Sequence, residues 1–330
     1  MRRYASVILI AFAFLLIFAV VVSRFSGEGS PGPNETFDPD KIIIVPETDD
    51  IEITMYNHRT GKLEKMPLEE YLIGVLAGEM PASYEMEALK AQAVAARTLI
   101  ISKLKRFGGK GCSKNPGADV CSSYAHCQEW IPLESMQKNW GGSFDKYYGR
   151  LKQAVNETVG LIMKYEGKPI EVFYHSTSNG KTEDAGEVFS RSLPYYKVVS
   201  SPEGEDLTGT GVTFSNKEFV DIFSRHYKNS LNPNNLANQV KINGYTKSGR
   251  VKSITVGGIT LRATDFRMMY GLNSTDFTLQ FGKSSMTIYT KGFGHGVGMS
   301  QVGADRMAKA GSTFRDILLH YYQGVAIEHY

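Results

Sequence analysis

The sequence predicts an α+β protein: an N-terminal transmembrane helix, then a mixed helix/sheet exported domain whose two lobes flank a groove. Three observations carry this prediction. Residues 4–23, "YASVILIAFAFLLIFAVVVS", are nearly free of charge and would span ~30 Å as a helix, the depth of a bilayer core. After residue 42, short β-branched runs and helical periodicities mix without any fixed repeat, which places the chain among α+β architectures. With 330 residues, of which 42% are hydrophobic, the chain suits one large globular region or two modest domains.

Residues 1–24 are assigned to a cytoplasmic tip and anchor, 25–41 to a linker and 42–330 to the exported domain. Arg2 and Arg3 precede the apolar run, while Glu28, Glu35, Asp38 and Asp40 follow it. The positive-inside rule therefore keeps the tip cytoplasmic and exports the rest. A cleaved signal peptide is the competing reading, but its apolar core would run only ~7–15 residues to a small-x-small site. No Ala-x-Ala follows here. The stretch "RFSGEGSPGPNETFDPD" mixes Gly, Pro and acidic residues, as a solvated linker does.

Along the exported part, "IEITMYNHRTGKLEKM" reads as strands turning at Arg59-Thr60-Gly61, and a helix enters at Pro67. Pro81 cannot continue that helix, so Glu79 falls at its end. A second helix starts near Tyr84, with Leu89, Ala93, Ala96, Ile100 and Leu104 close to a 3.6 period. A cysteine-bearing loop fills residues 108–130. Residues 136–160 read as one further helix, and "LIMKYEGKPIEVFYHSTS" as a hairpin turning at Glu166-Gly167-Lys168. A helix is expected at "NKEFVDIFSRHY", and strands then a short helix over "QVKINGYTKSGRVKSITVGGITLRATDFRMMYG". The strand "SSMTIYT" leads into a Gly-rich loop and one last helix toward Tyr322.

A net charge of +3, from 37 basic and 34 acidic residues, is too weakly basic to suggest nucleic acid, and no dense Lys/Arg stripe occurs. Gly292, Gly294, Gly296 and Gly298 do not follow the dinucleotide pattern. They allow the backbone to approach a ligand or another strand closely. Glu79 closes the apolar run of Tyr71, Leu72, Ile73, Val75, Leu76 and Ala77. It reads either as a solvated helix end or as a proton donor kept partly dry, with its pKa raised by apolar neighbours. Cys112, Cys121, His126 and Cys127 could complete a tetrahedral Cys3His zinc site. A disulfide with one thiol left over is the other reading.

The stretches "GEMP" (78–81), "AQAVAARTL" (91–99), "FYHSTSNGKTE" (173–183), "GFGHGVGMSQVGADRMA" (292–308) and "YYQG" (321–324) belong together. In this order the chain resembles the stage II sporulation protein D family of cell-wall lytic enzymes over roughly residues 45–324. The resemblance implies a membrane-anchored peptidoglycan lytic transglycosylase acting during engulfment in sporulating bacteria, with its catalytic domain in the space between mother cell and forespore. Glu79 matches the family's single catalytic carboxyl. Protonation of the bridging oxygen creates oxocarbenium character, the sugar's own C6 hydroxyl attacks, and the ionised Glu79 takes that proton; ordinary glycosidases need a second carboxylate. Candidate substrate-binding residues are Arg97, Tyr174, His175, Ser176, Lys181, His295 and Gln301. For Arg97 the alternative is a surface side chain, for the 174–181 stretch a hydrogen-bonded turn, and for His295 a buried structural histidine. Adjacent His175 and Ser176 would alternate across a strand, which disfavours a hydrolase dyad. The expected partners are glycan strands stripped of stem peptides, the membrane, an engulfment amidase and a recruiting membrane protein. A non-catalytic glycan-binding scaffold is the alternative function. A zinc amidase is disfavoured, because Cys3His ligation leaves no open position on the metal.

Overall fold

The computed structural model describes residues 51–204, 209–228 and 231–330. The expected anchor and linker lie outside these residues. Among the described residues, no helix is long and apolar enough to cross a membrane.

The fold is α+β, and the described residues hold two large hydrophobic cores and a small cluster around Cys112 and Cys121. Antiparallel strands β1 (Glu52–Asn57) and β2 (Lys62–Pro67) open the first lobe. Helix α1 (Leu68–Glu79) follows directly and stops where Met80 turns extended, just before Pro81. After α2 (Met86–Lys103), the short strand β3 (Val120–Cys121) runs parallel to β1. The single helix expected over 136–160 is two, α3 (Leu133–Trp140) and α4 (Phe144–Asn156). Gly141 sits between them at φ 48°, outside the right-handed α region, so one α-helix cannot run through it. Strands β4 (Leu161–Tyr165) and β5 (Lys168–Pro169) form the expected hairpin. Both tip residues, Glu166 and Gly167, have positive φ, as a type I′ turn requires. The hairpin ends sooner than its apolar run suggests, and β6 (Tyr174–His175) pairs elsewhere. The short helix α5 (Ala185–Phe189) completes this half.

The second lobe is built from β7 (Thr210–Ser215), α6 (Asn216–Ser224), β8 (Val240–Tyr245), β9 (Val251–Val256), β10 (Ile259–Arg262), α7 (Ala263–Tyr270), β11 (Phe277–Phe281) and β12 (Ser285–Thr290). Its two three-stranded sheets, ordered β10–β9–β8 and β11–β12–β7, enclose Phe219, Phe223, Phe266, Phe277 and Ile288. The chain then returns to the first lobe through the Gly-rich loop and β13 (Met299–Ser300), which lies parallel to β6. Two helices follow where one was expected, α8 (Gln301–Lys309) and α9 (Phe314–Tyr321). Gly311 at φ 92° breaks the run, and a capping box between Thr313 and Asp316 restarts it. Strand β14 (Ala326–His329) closes on β4.

Helix α2 is the centre of the first core. Helices α1, α4, α8 and α9 and strand β4 all pack on it, and almost every position from Ala88 to Ile101 is buried. Its alanines leave room for neighbours on every side. All-round burial also decides the place of Arg97, which is 0% exposed. Its Nε and Nη2 donate to the two Glu69 oxygens at 2.9 and 2.6 Å, and its remaining bonds reach Val155 O, Leu161 O and Thr158. The expectation of a substrate-facing or Glu79-orienting Arg97 is corrected here. A cation wholly surrounded by the core must be bonded within it, and this one ties α2 to α1, α4 and β4.

Arg97→Ala should therefore destabilise the fold by about 3 kcal/mol, because it leaves the part-buried Glu69 carboxylate without its cation and empties a fully buried site. Denaturant unfolding checks this. Parental stability with lost activity would return Arg97 to the substrate.

Candidate active site

Glu79 is positioned by a close contact between α1 and the segment after the cysteine loop. Gly74 and Gly78 lie one turn apart on one helix face. A Cβ on Gly74 would strike the Trp130 indole, and one on Gly78 would lie 2.8 Å from Glu129 Cγ. With hydrogens there instead, segment 129–131 lies directly on the helix. The Ile131 N–H donates to Gly74 O (3.1 Å), and the Glu129 N–H donates to Glu79 Oε1 (2.7 Å). The nearby Gln301 and Tyr174 side chains favour the ionised Glu79 carboxyl. Tyr174 Oη in turn donates to Gln128 Oε1 at 2.9 Å.

Burial raises the Glu79 pKa from 4.5 to about 7. The Glu129 N–H opposes this by favouring the anion, and the nearby Glu129 charge adds to the rise. Glu79 thus holds its proton up to neutral pH and can take it back.

Glu79 lines a cleft of about 920 Å³, together with Tyr174, His175, Ser176, His295 and Gln301. Phe173, Phe189, Phe293 and, from α7, Arg267 line the same cleft. Arg97 and Lys181 do not. Lys181 lies on an exposed turn whose carbonyl accepts from Ser178 and Arg250, so its backbone serves the framework. The Gly-rich loop approaches a strand. A Cβ on Gly294 would lie 2.8 Å from His175 Cβ, and one on Gly298 would strike the Phe173 carbonyl.

That approach fixes both histidines. His175 Nδ1 lies 3.2 Å from Val297 O, a pure acceptor, so Nδ1 carries the proton. His295 Nδ1 accepts the Val297 N–H at 3.0 Å, which puts its proton on Nε2. Burial, reinforced by nearby Arg267 and Arg250, lowers the His295 pKa to about 4. Burial, with the neighbouring His295 ring and Arg250, pushes His175 well below its ordinary value. Both rings are neutral at working pH.

Beside this cleft, ligand atoms of Cys112, Cys121, His126 and Cys127 all lie within 4.8 Å of one another. The three sulfurs sit 3.4–3.5 Å from His126 Nδ1. A tetrahedral ion with Zn–S ~2.3 Å and Zn–N ~2.0–2.1 Å separates sulfur from nitrogen by roughly 3.5–3.6 Å. The donor set and spacing fit such an ion, and the three cysteines are free thiols. The amides of His126 and Cys127 both donate to Ser123 O, a turn that aims two adjacent side chains at one point. His126 and Cys127 also line the cleft.

Sequence reading missed Gln128 and Glu129, which act from the chain just after Cys127. The Gly74-x-x-x-Gly78 spacing was the available signal, since two small residues on one helix face invite close packing.

The raised Glu79 pKa has a consequence for stability. Folded Glu79 binds its proton more tightly than unfolded Glu79, so ionisation opposes folding. The cost is absent below pH 4.5, grows through pH 4.5–7 and is complete above it. Glu79→Gln lacks this cost, so its stability relative to the parent should rise by on the order of 3 kcal/mol between pH 4.5 and 8. Denaturant midpoints of both proteins across that range check it. A pH-independent difference would place the carboxyl in water.

The chain matches the family model described as Stage II sporulation protein over residues 56–165, a span that holds Glu79 and all four cysteine-loop ligands. It is 38% identical over 279 residues to Stage II sporulation protein D of Bacillus subtilis (strain 168), covering 84% of this chain and 79% of that protein. The figure for Stage II sporulation protein D of Bacillus amyloliquefaciens is 38% over 283 residues, or 84% and 78% of the two chains. The chain is also 31% identical over 309 residues to the amidase enhancer of Bacillus subtilis (strain 168), covering 78% of this chain and 40% of that protein. Identity of this extent, over more than three quarters of both chains, shows that the chain belongs to the stage II sporulation protein D family.

Proposed function

We propose that this protein is a lytic transglycosylase that cleaves the MurNAc–GlcNAc bond of peptidoglycan glycan strands, leaving 1,6-anhydro-MurNAc, during engulfment in sporulation. The observation that carries this reading is a single carboxyl, Glu79, with a pKa of about 7 in a cleft of about 920 Å³. Other carboxylates nearby are tied up: Glu171, which also lines the cleft, pairs with Arg191, and Glu129 pairs with Arg59.

Glu79 Oε1 receives the Glu129 N–H, so the acid proton resides on Oε2. Oε2 gives that proton to the bridging oxygen as the glycosidic C–O bond breaks, and the GlcNAc side leaves as an alcohol. The C6 hydroxyl oxygen then bonds to the anomeric carbon, and its proton passes to the Glu79 carboxylate. No water is consumed, and Glu79 ends as it began. A second carboxylate, as nucleophile or base, is not required.

Cys112, Cys121, His126 and Cys127 would hold Zn2+. A closed Cys3His shell offers no open position, so the ion would supply structure and not a reactive water. It would fasten the loop that leads, two residues after Cys127, to the amide holding Glu79. The substrate would be glycan stripped of stem peptides, and residues 4–23 would anchor the chain with the catalytic domain between mother cell and forespore. The partners would be an amidase that strips those peptides and a membrane protein that recruits both. The name of one relative, amidase enhancer, favours a second reading, a glycan-binding scaffold that serves another enzyme.

Glu79→Gln and Glu79→Ala should fold and lose cleavage by at least about 100-fold, the lower range for general acid–base catalysis. Mass spectrometry of released anhydro-muropeptides reads the loss. Substantial product from either folded variant excludes the mechanism, and a parent that binds glycan but releases none supports the scaffold.

Elemental analysis should find one zinc per chain, with Cys121→Ser and Cys127→Ser losing both the metal and thermal stability. Metal-free parent protein with one disulfide and one thiol would exclude the zinc site.

A further inference from the structure

Two phenylalanines in the cleft remain open although nothing in the acid–base chemistry uses them. Phe189 is 39% exposed and Phe293 is 55% exposed, and both line the cleft that holds Glu79. Large apolar side chains left bare in a concave, partly polar site mark contact with a ligand.

Neither ring sits on a loosely held backbone. Phe189 closes α5, whose first turn is capped by Asp184 accepting the Gly186 N–H at 2.7 Å. Its ring stacks on Phe173 at 4.3 Å between centroids and meets His295 edge-on at 5.5 Å. Phe293 exchanges two backbone hydrogen bonds with Thr177, at 2.7 and 3.0 Å. Rigid aromatic faces bind with little loss of conformational entropy.

A third observation belongs to the same wall. His175 is 4% exposed, and its ring lies 5.8 Å from that of His295. Its Nδ1–H is committed to Val297 O, and its Nε2 has no hydrogen-bond partner. A buried acceptor without a donor calls for one from a ligand. Because burial keeps this ring neutral, Nε2 stays an acceptor throughout the working pH range.

Flat apolar faces beside a lone acceptor suit a pyranose ring. Such a ring presents axial C–H groups on its face, with hydroxyls and an acetamido N–H at its rim. We infer that Phe189, Phe293 and His175 form a saccharide subsite beside Glu79, in which the phenyl faces take the C–H faces of N-acetylated sugars and His175 Nε2 accepts a hydroxyl or acetamido hydrogen. This subsite rests on the glycan-cleaving function proposed above and adds where the sugars bind. It needs no charge on the ligand.

The test uses the intact chain carrying Glu79→Gln, which prevents turnover, titrated calorimetrically with tetra-N-acetylchitotetraose. Phe189→Leu and Phe293→Leu should each weaken binding about tenfold, equivalent to about 1.4 kcal/mol. Phe293→Tyr should restore it, because a tyrosine ring offers the same face. With Glu79 intact, Phe293→Leu should raise KM on glycan strands and leave kcat near the parental value. Unchanged binding in both leucine variants overturns the subsite, while Glu79-dependent cleavage would still stand. Cleavage of glycan by a parent that does not bind the tetramer also overturns it. A parent that neither cleaves glycan nor binds the tetramer overturns the function and the subsite together. If Phe189→Leu melts early through loss of its stack on Phe173, Phe293→Leu decides alone, since its side chain is open.

Discussion

The hydrogen bond from the Glu129 amide to the Glu79 carboxyl, at 2.7 Å, is the contact on which the rest of the site depends. Pro81 ends α1 so that Glu79 stands at its last position. Gly74 and Gly78 clear the helix face so that segment 129–131 can lie on it. The amide favours the ionised carboxyl and burial favours the protonated one. Their balance leaves Glu79 near neutrality. A drier site would hold the proton too tightly to release it, and a wetter one would lose it before the reaction began.

That contact is rigid because its supports are rigid. Helix α2 is enclosed on every side, and its one buried cation, Arg97, is bonded to Glu69 and to acceptors of α4 and β4 and the turn between them. The second lobe is joined to the first through a polar cluster. Glu183 accepts from Thr246 and Ser248 at 2.6 and 2.7 Å, and Asn179 donates to Asp276 at 2.8 Å. Glu183 is buried, and a buried, hydrogen-bonded carboxylate fixes one arrangement, since any other would strand a charge. Arg267, which lines the cleft from the second lobe, owes its place to this junction.

The cysteine loop and the Gly-rich loop approach the same cleft by different means. In the first, a turn around Ser123 aims His126 and Cys127 at the point where Cys112 and Cys121 also arrive. In the second, positive-φ glycines bring the backbone against β6, and the Val297 peptide then sets the proton positions of both histidines. Tyr174, between them in the fold, lines the cleft with Glu79 and donates to Gln128.

The sequence alone determined what depends on local chemistry. Pro81 placed Glu79 at a helix end, the 3.6 period located α2, and the loop composition brought three cysteines and a histidine together within sixteen residues. It misread places where a glycine at positive φ interrupts an apolar run, as Gly141 and Gly311 do. Periodicity does not report φ. Tertiary structure decided which charged residues meet the cleft. Arg97 and Lys181 looked as available as His175 and Gln301, yet only the latter two reach it. The direction a side chain faces depends on what packs around its element, and for α2 that was core on all sides. Tertiary structure also supplied the Glu129 amide. A backbone N–H has no residue identity, so no sequence pattern could announce it, although the two glycines that admit it were in view.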